Sequence, residues 1–298
     1  PMHSEDQRPN DLIYGLDDRP RPLPAFLAAL QHVLASFVGI VTPPLVIGSL
    51  LGLGEYLPYL ISMALMVSGA GTLIQARRPF GIGAGMICLQ GTSFAFLGAV
   101  LAAGMLVKQR GGGPEEILAM IFGVCFFGAF VQIVLSRFLG HLRRVITPLV
   151  TGIVVLMIGL TLIKVGLISM GGGFSAMSNG TFANGENLLL SGVVLGIIVV
   201  LNRIPVVWMR SCAIVIALAV GYALAGYLGR LDFTGMHQAE LFQVPTPLHF
   251  GLDFSWPLFI PMLVIYLVTS LEAIGDVTAT SKVSKQPVEG PLWMQRIK

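Results

Sequence analysis

The chain has 298 residues, of which 55% are hydrophobic and only 11% charged, far from the ~25% charged content of a soluble domain. Apolar runs of span length fill most of it, so it reads as an all-α, polytopic membrane protein. The net charge of +3 carries no nucleic-acid signal, because the basic residues sit between spans, and Cys88, Cys125 and Cys212 lie inside apolar runs with neither metal nor disulfide spacing.

In chain order, residues 1–24 form a charged, proline-rich tail without the apolar core of a signal peptide, so the first span serves as the insertion signal. That span, 25–53, carries Gln31-His32 and then Thr42-Pro43-Pro44. A proline pair breaks the helix ladder, which a membrane tolerates only where protein or a wet cavity satisfies the freed carbonyls. A second span covers 57–75.

The third, 80–106, reads G-I-G-A-G-M-I-C-L-Q-G-T-S-F-A-F, with Gly81, Gly83 and Gly85 alternating before Gln90-Gly91-Thr92-Ser93. Glycine at every second position suits a short extended strand approached by another backbone. Helix packing through small residues is the plainer alternative. A discontinuous segment with polar side chains at membrane depth points to a transporter binding site.

Spans four to seven fall at 116–136, 146–170, 187–201 and 211–229. Lys164 is expected to snorkel from the fifth to the near interface. The Asn179-Gly180-Thr181 sequon reads as chance, and His237 and His249, in the loop 230–255, lack ligand spacing.

The eighth span, within 256–282, carries Glu272 and Asp276 four residues apart, on one face of a helix. From the midpoint at Thr269, Glu272 lies about 4.5 Å away and Asp276 about 10 Å. Charge at depth costs roughly 2.5–3.5 kcal/mol, so such groups face a bundle interior or a wet cavity. The alternative, a position at headgroup level, bears more on Asp276 than on Glu272.

With the N-terminus cytoplasmic, fourteen of the 18 Lys and Arg residues fall on inside segments. Among these are Arg77, Arg78, Arg137, Arg143, Arg144, Arg203, Arg210, Lys282 and Lys285. Only Lys108, Arg110 and Arg230 fall outside, which fits eight spans with both ends inside.

The chain contains no phosphate-binding loop, H-E-x-x-H or G-x-S-x-G, which weighs against an ATP motor, a metalloprotease or a serine hydrolase; it does not read as an enzyme and needs no cofactor. What remains is a polar set at membrane depth: His32, Gln90, Ser93, Glu272 and Asp276. Buried carboxylates can take a proton on one side and release it on the other, and can accept hydrogen bonds from a planar substrate's N–H groups. That combination describes a proton-coupled transporter better than a pore.

Five stretches carry a resemblance: L-I-Y-G-L-D-D-R-P, L-Q-H-V-L-A, Q-G-T-S-F-A-F, R-R-V-I-T-P-L-V-T-G-I-V-V-L-M-I-G-L-T-L-I-K-V-G and S-L-E-A-I-G-D-V-T-A-T. The chain resembles the nucleobase–ascorbate transporter family (nucleobase:cation symporter-2), with bacterial xanthine permeases nearest. The resemblance implies fourteen spans in two inverted repeats of seven, a core and a gate domain, and a short strand in span three. The core would take 25–136 and 256–282, and the gate 137–229, with 230–255 periplasmic and 283–298 cytoplasmic. Eight spans are then present, and the chain reads as truncated after the eighth.

It also implies that Glu272 grips the nucleobase, that Ser93 and Phe94 line the pocket by side chain and by backbone, and that Gln90 contributes to it. Asp276 matches the acidic position one turn on, for proton coupling, and His32 supports the polar core. Many xanthine-selective relatives have Asn where this chain has Ser93. The expected function is proton-coupled import of a purine, xanthine first, across a bacterial inner membrane, by a homodimer. A uracil or urate permease, or a non-transporting membrane protein, is the alternative.

Overall fold

The computed structural model describes residues 14–142, 166–206, 213–231 and 245–297, with 153, 156, 159, 160, 163, 164 and 209. Most of the expected fifth span lies outside these residues, as do Arg8, Arg143, Arg144, Thr147-Pro148, Arg210, Cys212 and His237. Lys164 is helical and exposed.

Helix α1 (Pro22–Leu51) opens on a proline, whose missing N–H is unneeded in a first turn, and stops at Gly52 in the left-handed region, φ +76°. The Nζ of Lys108 donates to the Leu51 carbonyl at 3.0 Å, setting a cation on the negative end of the helix. After a 3-10 turn at Gly54–Tyr56, α2 (Leu57–Arg77) runs back beside α1, as so short a connection requires. It ends at Arg78, φ +52°, with Pro79 following to prevent continuation.

The expected third span is interrupted. A 3-10 turn (Pro79–Gly81) gives way to non-helical backbone over 82–93, then to a 3-10 turn (Phe94–Phe96) and α3 (Leu97–Gln109). No strand forms among the described residues. Gly81, Gly83 and Gly85 take φ of +82°, +114° and +67°, so their alternation supplies left-handed bends rather than a flat pleat. The expected close backbone approach is present at Gly83, where a Cβ would sit 2.8 Å from the Ile74 carbonyl oxygen.

Helix α4 (Pro114–Leu142) is followed by the short α5 (Gly173–Ser178), then by α6 (Gly185–Arg203) and α7 (Ala213–Tyr227), which pack on each other. Helix α8 (Trp256–Val283) contacts α3 and α4. A last helix, α9 (Gly290–Ile297), lies against α8. Among the described residues, five stretches are long and apolar enough to cross a membrane: Pro22–Leu51, Gly54–Arg77, Pro114–Phe138, Gly185–Arg203 and Trp256–Val283. The shorter apolar helices Phe94–Gln109 and Ala213–Tyr227 occupy the third and seventh expected spans.

The main core joins Leu51 and Leu53 to Val100 and Val107 of α3, Leu118, Ile121 and Val124 of α4, and Phe259, Met262 and Tyr266 of α8. Lipid tails are as apolar as leucine, so such helices associate through close packing, and small residues set how close. Gly128 of α4 is one: a Cβ there would strike the Tyr266 ring. Tyr266 then reaches across to donate its hydroxyl to the Cys125 carbonyl at 2.5 Å. These contacts fix the depth and rotation of α8, and with them the direction in which its carboxylates point.

Candidate functional site

Helix α8 turns Tyr266, Thr269, Glu272, Asp276 and Thr280 into a cavity of about 650 Å³. Spacings of three and four residues place these side chains on one stripe, so the helix presents an aromatic ring, two hydroxyls and two carboxylates to the same space. Gln132 of α4 joins them from one side, and residues 87–93 form the facing wall. The Ser93 hydroxyl donates to Oε2 of Glu272 at 3.4 Å while accepting from the Ala95 N–H at 3.3 Å. Glu272 is half-buried; Asp276, one turn on, stands exposed in the cavity.

The facing wall is non-helical, so its backbone polar groups need partners from elsewhere. Helix α2 supplies them from a polar stripe at 68, 72 and 75. Ser68 donates its hydroxyl to the Gln90 carbonyl, the Gln90 N–H donates to Thr72 Oγ1 at 2.9 Å, and the Ala84 N–H donates to Gln75 Oε1 at 2.7 Å. The Gly85 N–H adds a bond to the Gln75 carbonyl at 2.9 Å. Side chains of a helix thus do what a neighbouring strand would do in a sheet. Gly71, between Ser68 and Thr72, leaves room for the Gln90 side chain, which a Cβ would approach to 3.2 Å.

At its other edge the wall is held by α9. Arg78 donates to the Gln295 carbonyl at 3.3 Å, and the Trp293 indole donates to Thr278 Oγ1 of α8 at 3.2 Å. Ile297 packs on the buried cluster of Ala84, Met86, Cys88 and Val277. Cys88 and Cys125 are free thiols, Cys88 buried and Cys125 half-buried.

Of the residues singled out from the sequence, Gln90, Ser93, Glu272 and Asp276 line this one cavity. Phe94 does not line it; its ring packs against Val46 and Leu97, toward α1. Phe96 takes the place beside the cavity, edge-on to Tyr266 with ring centroids 4.8 Å apart. His32 is exposed, with Nδ1 2.8 Å from the Ala28 carbonyl of its own helix. It lines a second cavity, of about 550 Å³, on the other side of Ile87 and Leu89. Gln75, Thr72, Ser68 and Phe96 are the residues that sequence reasoning missed. The signal for the first three was a serine, a threonine and a glutamine at helical spacing inside a largely apolar span, and Phe96 had none.

The arrangement defines a class: a multi-pass membrane protein whose helices enclose a polar cleft between a carboxylate-bearing helix and a broken span. The cleft's size falls within the roughly 300–1,000 Å³ of small-molecule sites. Comparison with known proteins then places it. A family model described as Permease family (Xan_ur_permease) matches residues 24–297. The chain belongs to that family, and the resemblance to nucleobase–ascorbate transporters is borne out. It is 46% identical over 306 residues to Xanthine permease XanP of Escherichia coli (strain K12), covering 100% of this chain and 66% of that protein. Against Xanthine permease XanQ of the same organism it is 43% identical over 290 residues, covering 97% and 62%. Against Uric acid permease PucJ of Bacillus subtilis (strain 168) it is 33% identical over 272 residues, covering 90% and 59%. The chain thus spans about two thirds of the length of the xanthine permeases it matches.

Proposed function

We propose that the protein is a secondary transporter that imports a purine nucleobase, xanthine first, together with protons. The observation that carries this is Glu272, half-buried and hydrogen-bonded to Ser93 across the mouth of a cavity that also holds Gln90 and Asp276. A xanthine ring presents N–H donors and carbonyl acceptors in one plane. The Glu272 carboxylate can accept from the N–H groups, and the Gln90 amide and Ser93 hydroxyl can serve the carbonyls. The aromatic edges of Phe96 and Tyr266 suit the faces of a flat ring. The names of the two similar Escherichia coli permeases agree with this substrate.

Asp276, one turn from Glu272 and open to the same cavity, is the second carboxylate and carries the coupling proton. His32 supports the polar interior from the far side of the extended segment, and Phe94 serves by main chain. In this reading α1–α4 and α8 form the core domain and 137–229 the gate. The complete protein has fourteen spans in inverted repeats, a cytoplasmic N-terminus, an inner-membrane location and a homodimeric state. The mutual packing of α3, α4 and α8, set against the closer pairing of α6 with α7, which touches the rest through α1, supports that division.

Urate is the second reading. It is favoured by the small side chain of Ser93, which leaves space beside Glu272, and by the name of the Bacillus subtilis relative. The test is uptake of labelled xanthine in cells lacking their own purine carriers. Saturable uptake abolished by a proton ionophore is the expected result. Uptake that persists with the gradient collapsed would remove the coupling, and inhibition by urate at lower concentration than by unlabelled xanthine would reverse the substrate order.

A further inference from the structure

The first helix contains a gap that the broken third span fills. Pro43 and Pro44 lie inside α1 and have no N–H to give. Their helical acceptors, the carbonyls of Gly39 and Ile40, therefore lose their ladder bonds. Among the described residues one side chain reaches both: the Thr92 hydroxyl donates to the Ile40 carbonyl at 2.9 Å and lies 3.2 Å from that of Gly39. The neighbouring Gly91 is what lets the segment come so near, since a Cβ there would sit 3.1 Å from Cγ1 of Ile40. The next residue, Ser93, makes the hydrogen bond to Glu272.

We propose that Thr92 is a positioning residue: by capping the two carbonyls that Pro43 and Pro44 release, it locks the extended segment to α1 and holds Ser93 in register with Glu272. The four residues Gln90 to Ser93 then divide the work. Gln90 binds α2, Gly91 permits contact with α1, Thr92 makes that contact specific, and Ser93 faces the carboxylate. A hydroxyl is required because the acceptors are carbonyls, and that of the buried Ile40 is costly to leave unpaired in an apolar interior. The proposal deepens the purine-site reading and rests on it for its transport consequence.

The test is a cycle between Thr92 and the proline pair, in the protein expressed from its gene. Thr92→Val keeps the shape and removes the donor; Thr92→Ser keeps the donor. Pro43→Ala with Pro44→Ala returns two N–H groups to the orphaned carbonyls. The readout is the rate at which a maleimide alkylates Ser93→Cys in membranes, with Cys88, Cys125 and Cys212 replaced by Ser, so that no transport is needed. Thr92→Val is expected to change that rate at least ~3-fold and Thr92→Ser less than ~3-fold, with neighbours in one hydrogen-bond network failing to add. In the alanine-pair background Thr92→Val is expected to have less than ~3-fold effect.

A rate insensitive to Thr92→Val, or an equal effect in both backgrounds, would overturn the proposal. Should Thr92→Val fail to accumulate in membranes, recovery of its abundance in the alanine-pair background supports the lock, and continued failure overturns it. In uptake assays, Thr92→Val is expected to raise the KM for xanthine by about 10-fold while the maximal rate per molecule stays within about 3-fold. A merely structural role would lower abundance and leave KM unmoved. Absence of all purine uptake by the wild-type protein would defeat the purine reading alone, because the alkylation pattern still decides whether the lock exists.

Discussion

Two parts of the molecule place their polar side chains differently. In the unit built from α1–α4 and α8, hydroxyls and amides cross between elements well inside the apolar spans: Ser68 and Thr72 to Gln90, Gln75 to Ala84, Thr92 to α1, Ser93 to Glu272. In the α6–α7 pair the cross-linking polar groups among the described residues gather at one end. There Asn187 donates to the Gly171 and Thr181 carbonyls at 3.0 and 3.2 Å, and Arg230 binds both Asn187 and Glu186, the latter at 3.2 Å. Beyond Ser191, whose hydroxyl donates to the Met170 carbonyl at 3.1 Å, α6 offers mainly aliphatic side chains. The first unit is built to hold irregular backbone and a polar cleft at fixed geometry. The second is a plain helical pair tied at its rim by Asn187, Glu186 and Arg230.

That contrast can be broken or sharpened by substitution. The largest effect is expected at Glu272: Glu272→Gln keeps the volume but halves the acceptor capacity toward a purine's N–H groups. Uptake of xanthine should fall by at least ~100-fold at normal membrane abundance, since a site built to hydrogen-bond its substrate rejects a mismatched partner steeply. Near-normal uptake would leave the cleft without its central group. Next comes Gln75→Leu, which orphans the Ala84 N–H in the interior. A lost bond of this kind costs about 1–3 kcal/mol, so xanthine uptake should drop on the order of 10-fold.

Gly128→Ala tests packing rather than polarity. Its Cβ would meet the Tyr266 ring, and overpacking costs typically about 1–3 kcal/mol. The protein purified in detergent should lose several degrees in Tm, with Tyr266→Phe in the same background not restoring it. The smallest effect belongs to the other region. Val200 on α6 is exposed, and Val200→Ala should alter neither uptake nor Tm measurably, by less than about 2-fold in rate. A large loss there would show that α6 contributes to the cleft.

Much of this contrast is readable in the sequence, because the cues are local. Span-length apolar runs announce the helices, and the Pro43-Pro44 pair announces that freed carbonyls need partners. Glu272 and Asp276 announce a polar face by their spacing alone. The identity of the partners is not local. Nothing near Pro43 names Thr92, some 50 residues on, and nothing near Gln90 names the α2 stripe, because those pairings arise only when α1, α2 and the broken span pack together. The glycine alternation illustrates the same limit. It signals close approach correctly at Gly83, but period-two glycines serve a strand and a run of left-handed bends equally well, and the backbone takes the bends. The direction of the Phe94 ring is unreadable for a related reason. One residue past Ser93 the chain enters a 3-10 turn, whose period of three swings the Phe94 ring toward α1 and delivers Phe96 to the cavity.

The central claim is that the cleft between Ser93 and Glu272 holds a purine. Protection of Ser93→Cys from maleimide in membranes, in the background where the native cysteines are serine, measures it directly. Saturating xanthine is predicted to slow alkylation by at least ~5-fold, as a site that buries most of its ligand requires, and Glu272→Gln is predicted to remove that protection. Alkylation at the same rate with and without xanthine, in a protein that still takes xanthine up, would contradict the account.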